Sequence, residues 1–171
     1  MRTWLDLGPR LPLYDLVAAG DFVVHWRNPL ASIAELGAGL LHRRSRRGLV
    51  KLHAGLGLLS DRSESPPESV LRVLVLLAGL PAPRVNHVVT DVFGEFVARI
   101  DLLIDEYQLV LEYMGDYHRT SKRQWRYDMT SRSKLEAGGK RVIEINADDL
   151  RDPDELVERI RMHAAYQRRF R

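Results

Sequence analysis

FVARIDLLIDEYQLVLEYMGDYH, residues 96–118, decides the fold. It reads as two short apolar strands joined by a tight turn, with Asp101 inside the first strand and Glu112 near the end of the second. Side chains alternate along a strand, which puts Arg99, Asp101 and Leu103 on one face and Ile100, Leu102 and Ile104 on the other. On the second strand Val110, Glu112 and Met114 share a face. A turn centred on Glu106-Tyr107 pairs Asp105 with Gln108, and the same count sets Asp101 opposite Glu112 with Cβ atoms roughly 5 Å apart. Two facing carboxylates on a half-buried sheet repel unless a cation lies between them. A divalent metal is one answer, since carboxylate oxygens suit Mg²⁺. An edge hairpin with both acids pointing into water is the other, and the residues alone leave both open.

Outward from the hairpin, 171 residues suit one domain with an appended helical piece. The apolar fraction and mixed charges indicate a folded, soluble chain. No apolar run reaches the roughly 18 residues of a membrane span, and the first residues lack a signal-peptide pattern, so a cytoplasmic location is expected. With no cysteine, disulfides, thiolate zinc sites and cysteine nucleophiles are excluded. Net charge is +3 and Arg greatly outnumbers Lys, which permits phosphate binding without demanding it.

Residues 1–60 read as a helical segment. Ser32 and Glu35 have capping-box spacing, and the basic run His42-Arg43-Arg44-Ser45-Arg46-Arg47 links two Gly-containing helices. That run is either a phosphate contact or a solvated loop. A polar stretch at 61–64 marks the boundary to a second domain, residues 61–171. Ser65, Pro66 and Glu68 open a helix as N-cap, first turn and reciprocal cap. A strand follows at 85–90, then the central hairpin, a helix over 121–137 stopped by Gly138-Gly139, a strand at 141–146, and a last amphipathic helix from Pro153 with Leu156, Val157 and Ile160 inward. The order is helix, three strands, helix, strand, helix: an α/β layer with a mixed sheet.

This order resembles the restriction-endonuclease-like core of the PD-(D/E)XK nuclease superfamily. ESPPES, GLPAP, FVARIDLL, LVLEYMGDYH, RQWRYDMTSRSKLEAGG and the closing ADDL resemble, over about residues 64–150, the Vsr-like (very-short-patch-repair-like) endonuclease domain of unknown function, in its actinobacterial type. The resemblance implies a DNA endonuclease, a hydrolase of phosphodiester bonds acting in defence or repair. It makes Asp101 and Glu112 the acids that bind Mg²⁺ or Mn²⁺. Glu68 is then a further acid, and the Tyr113 carbonyl a further oxygen ligand. His118 takes the place of a general acid or base. Glu68 has a rival role as a helix cap, and Asp128 with Arg132 has the spacing of an ordinary helix ion pair.

One residue departs from the pattern. Met114 stands where the motif has lysine, and a thioether neither binds Mg²⁺ well nor donates a proton. The strand count sets Arg99 across from Met114, where its guanidinium would steady the scissile phosphate. Either Arg99 and His118 compensate, or catalysis is lost and the fold serves as a nucleic-acid-binding module, such as the regulatory side of a toxin–antitoxin pair. A third reading is a protein-interaction domain that forms a homodimer through its helical N-terminal half.

Overall fold

The computed structural model describes residues 2–115 and 122–169, with the backbone alone over residues 122–128. Helices α1 (Arg2–Leu7), α2 (Leu13–Val24), α3 (Ile33–Leu41), α4 (Leu49–Gly57) and α5 (Pro66–Leu77) come first. Strands β1 (Arg84–Thr90), β2 (Phe96–Ile104) and β3 (Leu109–Tyr113) follow. Then come α6 (Lys122–Ala137), β4 (Arg141–Ile145) and α7 (Pro153–Arg169). From α5 onward this is the helix, three-strand, helix, strand, helix order expected from the sequence.

The chain packs as two compact units, residues 1–73 and 74–171, so the division runs through α5. In the first unit, Trp4, Leu16, Leu36, Leu40 and Leu52 form the core. Burying a large apolar side chain contributes about 1.5–3 kcal/mol, which offsets the poor helix propensity of the glycines. Gly20 shows why one of them is needed, because a Cβ there would lie 2.4 Å from Leu59 and 2.8 Å from the Trp4 ring nitrogen. Ser32 and Glu35 complete the expected capping box on α3.

A polar pair lies inside this unit. Arg72 of α5 donates to Asp21 of α2 at 2.7 Å and to the Leu58 carbonyl at 2.6 Å. The other Asp21 oxygen accepts the Ser60 N–H at 2.8 Å. Asp21 is 1% exposed and Arg72 4%, so water cannot replace either partner. This pair joins the N-terminal half of α5 to the preceding helices, across the polar stretch read from the sequence as a boundary.

In the second unit the sheet order is β1-β2-β3-β4. The first three strands are antiparallel, and β4 runs parallel to β3 after the α6 crossover. Leu103, Val110 and Val142 share a face by register and join Leu135 of α6 in one apolar cluster. On α7 the buried residues are Leu156, Ile160 and Ala164, with Val157 only half-buried. Gly139, at φ 76°, ends α6 as the sequence predicts.

His87 on β1 and His163 on α7 both have pKa values lowered from the ordinary histidine value, first by burial and then by neighbouring guanidinium groups. The folded state therefore resists their protonation. The stability they contribute is present above the ordinary histidine pKa and is lost as pH falls toward the lowered values. His163→Gln is expected to reduce the drop in Tm between neutral and mildly acidic pH. Asp21→Ala strands a buried guanidinium and is expected to cost about 3–5 kcal/mol, read by urea denaturation.

Candidate functional site

The site is built on the β2–β3 hairpin and its neighbour β4. Residues 105–107 form one 3-10 turn. Gln108 adopts the left-handed conformation at φ 48°, its N–H returning to the Asp105 carbonyl at 3.1 Å. Arg84 of β1 forms an ion pair with Asp105 from the side. Tyr107 is buried beneath Arg168, whose guanidinium lies 4.7 Å from the ring and donates to the hydroxyl at 3.0 Å. These contacts fix the turn, and the turn fixes the register.

That register is Ile104↔Leu109, Leu103↔Val110 and Leu102↔Leu111, the one given by the turn count. The next step along it is Asp101 with Glu112. There the main-chain ladder stops, and the Asp101 carboxylate accepts the Tyr113 N–H at 2.8 Å. On the other flank the β1–β2 pairing runs Val85↔Leu102 and then His87↔Ile100, passing over Asn86, which has φ 48°. Asn tolerates the left-handed region better than most residues. Asp101 is thus half-buried at the point where the β2–β3 ladder ends.

The Arg99–Met114 pairing expected from the same count is not made. Arg99 pairs with Val88 of β1 and is exposed. Met114 lies past the end of β3 and donates its N–H to the Ile145 carbonyl of β4 at 2.7 Å. The physical reason is the Asp101 side chain, which takes the Tyr113 amide that the next β2–β3 bond would use. The Met114 amide points to the other side of β3 and continues the ladder with β4.

The parallel β3–β4 register adds a carboxylate that the sequence reading passed over. Glu112 pairs with Glu144, so Asp101, Glu112 and Glu144 occupy one face on successive strands. A single Glu among the apolar residues of Arg141–Ile145, RVIEI, is the signal that marks it. Arg132 of α6 bonds Glu144 and, at 3.2 Å, Glu136. The guanidinium therefore offsets the negative row from one side.

Glu68 stands in the first unit as a helix cap. It accepts the Ser65 hydroxyl at 2.8 Å and the Glu64 N–H at 3.0 Å. His118 lies outside the described residues, as do the side chains of Trp125 and Asp128. Among the described residues no three His, Asp or Glu side chains converge as a metal-binding group, and no helix is long and apolar enough to cross a membrane.

Comparison with known proteins gives distant relatives. No protein-family model matches the chain. Two uncharacterized proteins of Mycobacterium tuberculosis, MT2308 and Rv2248, are each 29% identical to it over 131 residues, 76% of this chain and 48% of theirs. The chain thus spans about half the length of the curated relatives it matches. Among solved structures, the catalytic domain of the homing endonuclease I-Bth0305I aligns with a TM-score of 0.47 at 22% identity. That alignment covers 59% of this chain and 95% of that one.

Arg132→Met leaves Glu112 and Glu144 side by side without their guanidinium neighbour. The expected cost is about 0.5–1 kcal/mol at low salt and less at high salt. Denaturation at two ionic strengths measures it, and adding Glu144→Gln is expected to return most of the loss.

Proposed function

We propose that this chain is a metal-dependent DNA endonuclease, with Asp101 and Glu112 as the acids that hold the cation. The observation that carries the reading is the hairpin register, which sets two half-buried carboxylates at successive places on one face. The motif resemblance over residues 64–150 supplies the reaction class.

The donor set suits a hard cation. Mg²⁺ prefers oxygen ligands, keeps several waters and is commonly bound through one or two carboxylates. Carboxylate oxygens therefore fit it better than they fit zinc, whose structural sites are built mainly from nitrogen and sulfur ligands. When bound, such an ion neutralises charge on the phosphate and lowers the pKa of water. Asp101 is held for this task by the Tyr113 N–H, which fixes its carboxylate relative to β3. The Tyr113 carbonyl adds an oxygen at the same strand end. Arg99, exposed on β2 two residues from Asp101, is assigned to the phosphate. His118 is assigned as proton donor or acceptor. Glu68 is assigned to its helix cap, because both its oxygens accept hydrogen bonds there.

Met114 favours a second reading, a DNA-binding module without cleavage. Its exposed thioether occupies the position where a cationic lysine would face the phosphate.

Plasmid nicking in Mg²⁺ or Mn²⁺ decides between them. The wild-type chain is expected to nick plasmid, and Asp101→Asn and Glu112→Gln to lose at least about a hundredfold in rate, as removal of a key transition-state stabiliser does. Met114→Lys is expected to raise the rate. A wild type that binds duplex but cuts in neither metal, with Met114→Lys also silent, establishes the binding-module reading.

A further inference from the structure

The basic run at residues 42–47 is given a definite shape by the fold. Arg43 turns inward, and its guanidinium donates to the carbonyls of Leu5, Ser45 (3.1 Å) and Arg47 (3.4 Å). The loop is therefore wound around one of its own arginines. Gly48 secures the far end at φ 71°. A Cβ there would sit 2.7 Å from the Pro9 nitrogen and 2.8 Å from the Gly8 carbonyl carbon, so the loop is pressed onto the turn between α1 and α2. Between them lies a cleft of about 460 Å³ lined by Asp6, Pro9, Arg10, Arg43, Ser45 and Arg47. Three guanidinium groups and a hydroxyl face a single carboxylate.

Many of the chain's arginines are already paired internally. Arg27, Arg72, Arg84, Arg132 and Arg159 each hold a carboxylate. Among the described residues Arg10, Arg44, Arg46 and Arg47 form no ion pair, and all four are exposed. An arginine paired internally has already given up its hydration and its donors. An unpaired one keeps its planar fork for an external oxyanion. Holding several on a braced loop lowers the ordering cost of engaging phosphates in a row.

We propose that this cleft and its rim form a second phosphate-binding site, one that takes the sugar-phosphate backbone of duplex DNA without reading its sequence. Arg10 and Arg47 contact phosphate from the cleft walls, Arg44 and Arg46 from the rim, and Arg43 positions the loop. Asp6 limits the affinity, so that the contact stays weak and reversible. The inference rests on the reading of the chain as a DNA-acting protein, and it adds a binding surface in the first unit to the acidic site in the second.

The test is binding of the full chain to a labelled duplex in EDTA across a salt series, followed by fluorescence anisotropy. Each lost phosphate contact flattens the slope of log K against log salt by about 0.9. Arg44→Ala/Arg46→Ala/Arg47→Ala is therefore expected to flatten it by about 2–3, and Asp6→Asn to tighten binding. Circular dichroism checks that the triple variant folds; should it not, the exposed Asp6→Asn substitution alone decides. An unchanged slope in a folded triple variant, or unchanged affinity in Asp6→Asn, overturns the inference. So does triple-sensitive binding to anionic phosphatidylserine vesicles with none to duplex. Plasmid nicking separates the two proposals. Cleavage lost in Asp101→Asn but a normal salt slope in the triple variant sinks only this inference. A flattened slope with no cleavage anywhere sinks only the enzyme.

Discussion

A single side chain-to-backbone hydrogen bond sets the character of the sheet, from the Tyr113 amide to the Asp101 carboxylate. An antiparallel ladder normally satisfies its amides with carbonyls, and continuing that pattern would have carried β2 and β3 together past Met114. By accepting the amide itself, Asp101 ends the ladder one step early. On the opposite side of β3 the parallel ladder with β4 continues, and Met114 donates to Ile145. A carboxylate in this position strengthens the bond, because charge-assisted hydrogen bonds are roughly twice as strong as neutral ones. The same contact orients an acid within a strand.

Interrupted pairing has a chemical consequence. Regular sheet interior commits every backbone group and packs its side chains too closely for a solvated ligand. Where a ladder ends beside a charged residue, its side chain can take the amide that a carbonyl would otherwise satisfy. The row Asp101, Glu112, Glu144 crosses the sheet at this level, two residues along each strand from the apolar layer of Leu103, Val110 and Val142. Arg132 offsets the repulsion from the β4 side.

The two units manage charge differently. In the first, Asp21 and Arg72 are buried together, satisfied by each other and by backbone groups of Ser60 and Leu58. Such a pair is a poor source of net stability but a strong constraint on geometry, because each mismatch strands a charge. It makes α5 as far as Val73 part of the N-terminal helical unit although its capping sequence announces a new element. In the second unit the acids of the row are only half-buried (Asp101, Glu112) or exposed (Glu144), and Glu144 is paired with Arg132.

The amino-acid sequence by itself determined the element order and the hairpin register. Both follow from short-range rules: apolar period, the Ser65 and Ser32 caps, the Gly138-Gly139 stop, and a turn whose length leaves one pairing for Asp101. It also marked the basic loop, but not what Arg43 and Gly48 do to it. Tertiary structure alone decided the rest, because those facts depend on residues far apart in the chain. Glu144 reaches Glu112 only through a parallel crossover, Arg72 reaches Asp21 only when α5 docks on α2, and the Asp101 carboxylate meets the Tyr113 amide only once β2 and β3 have paired.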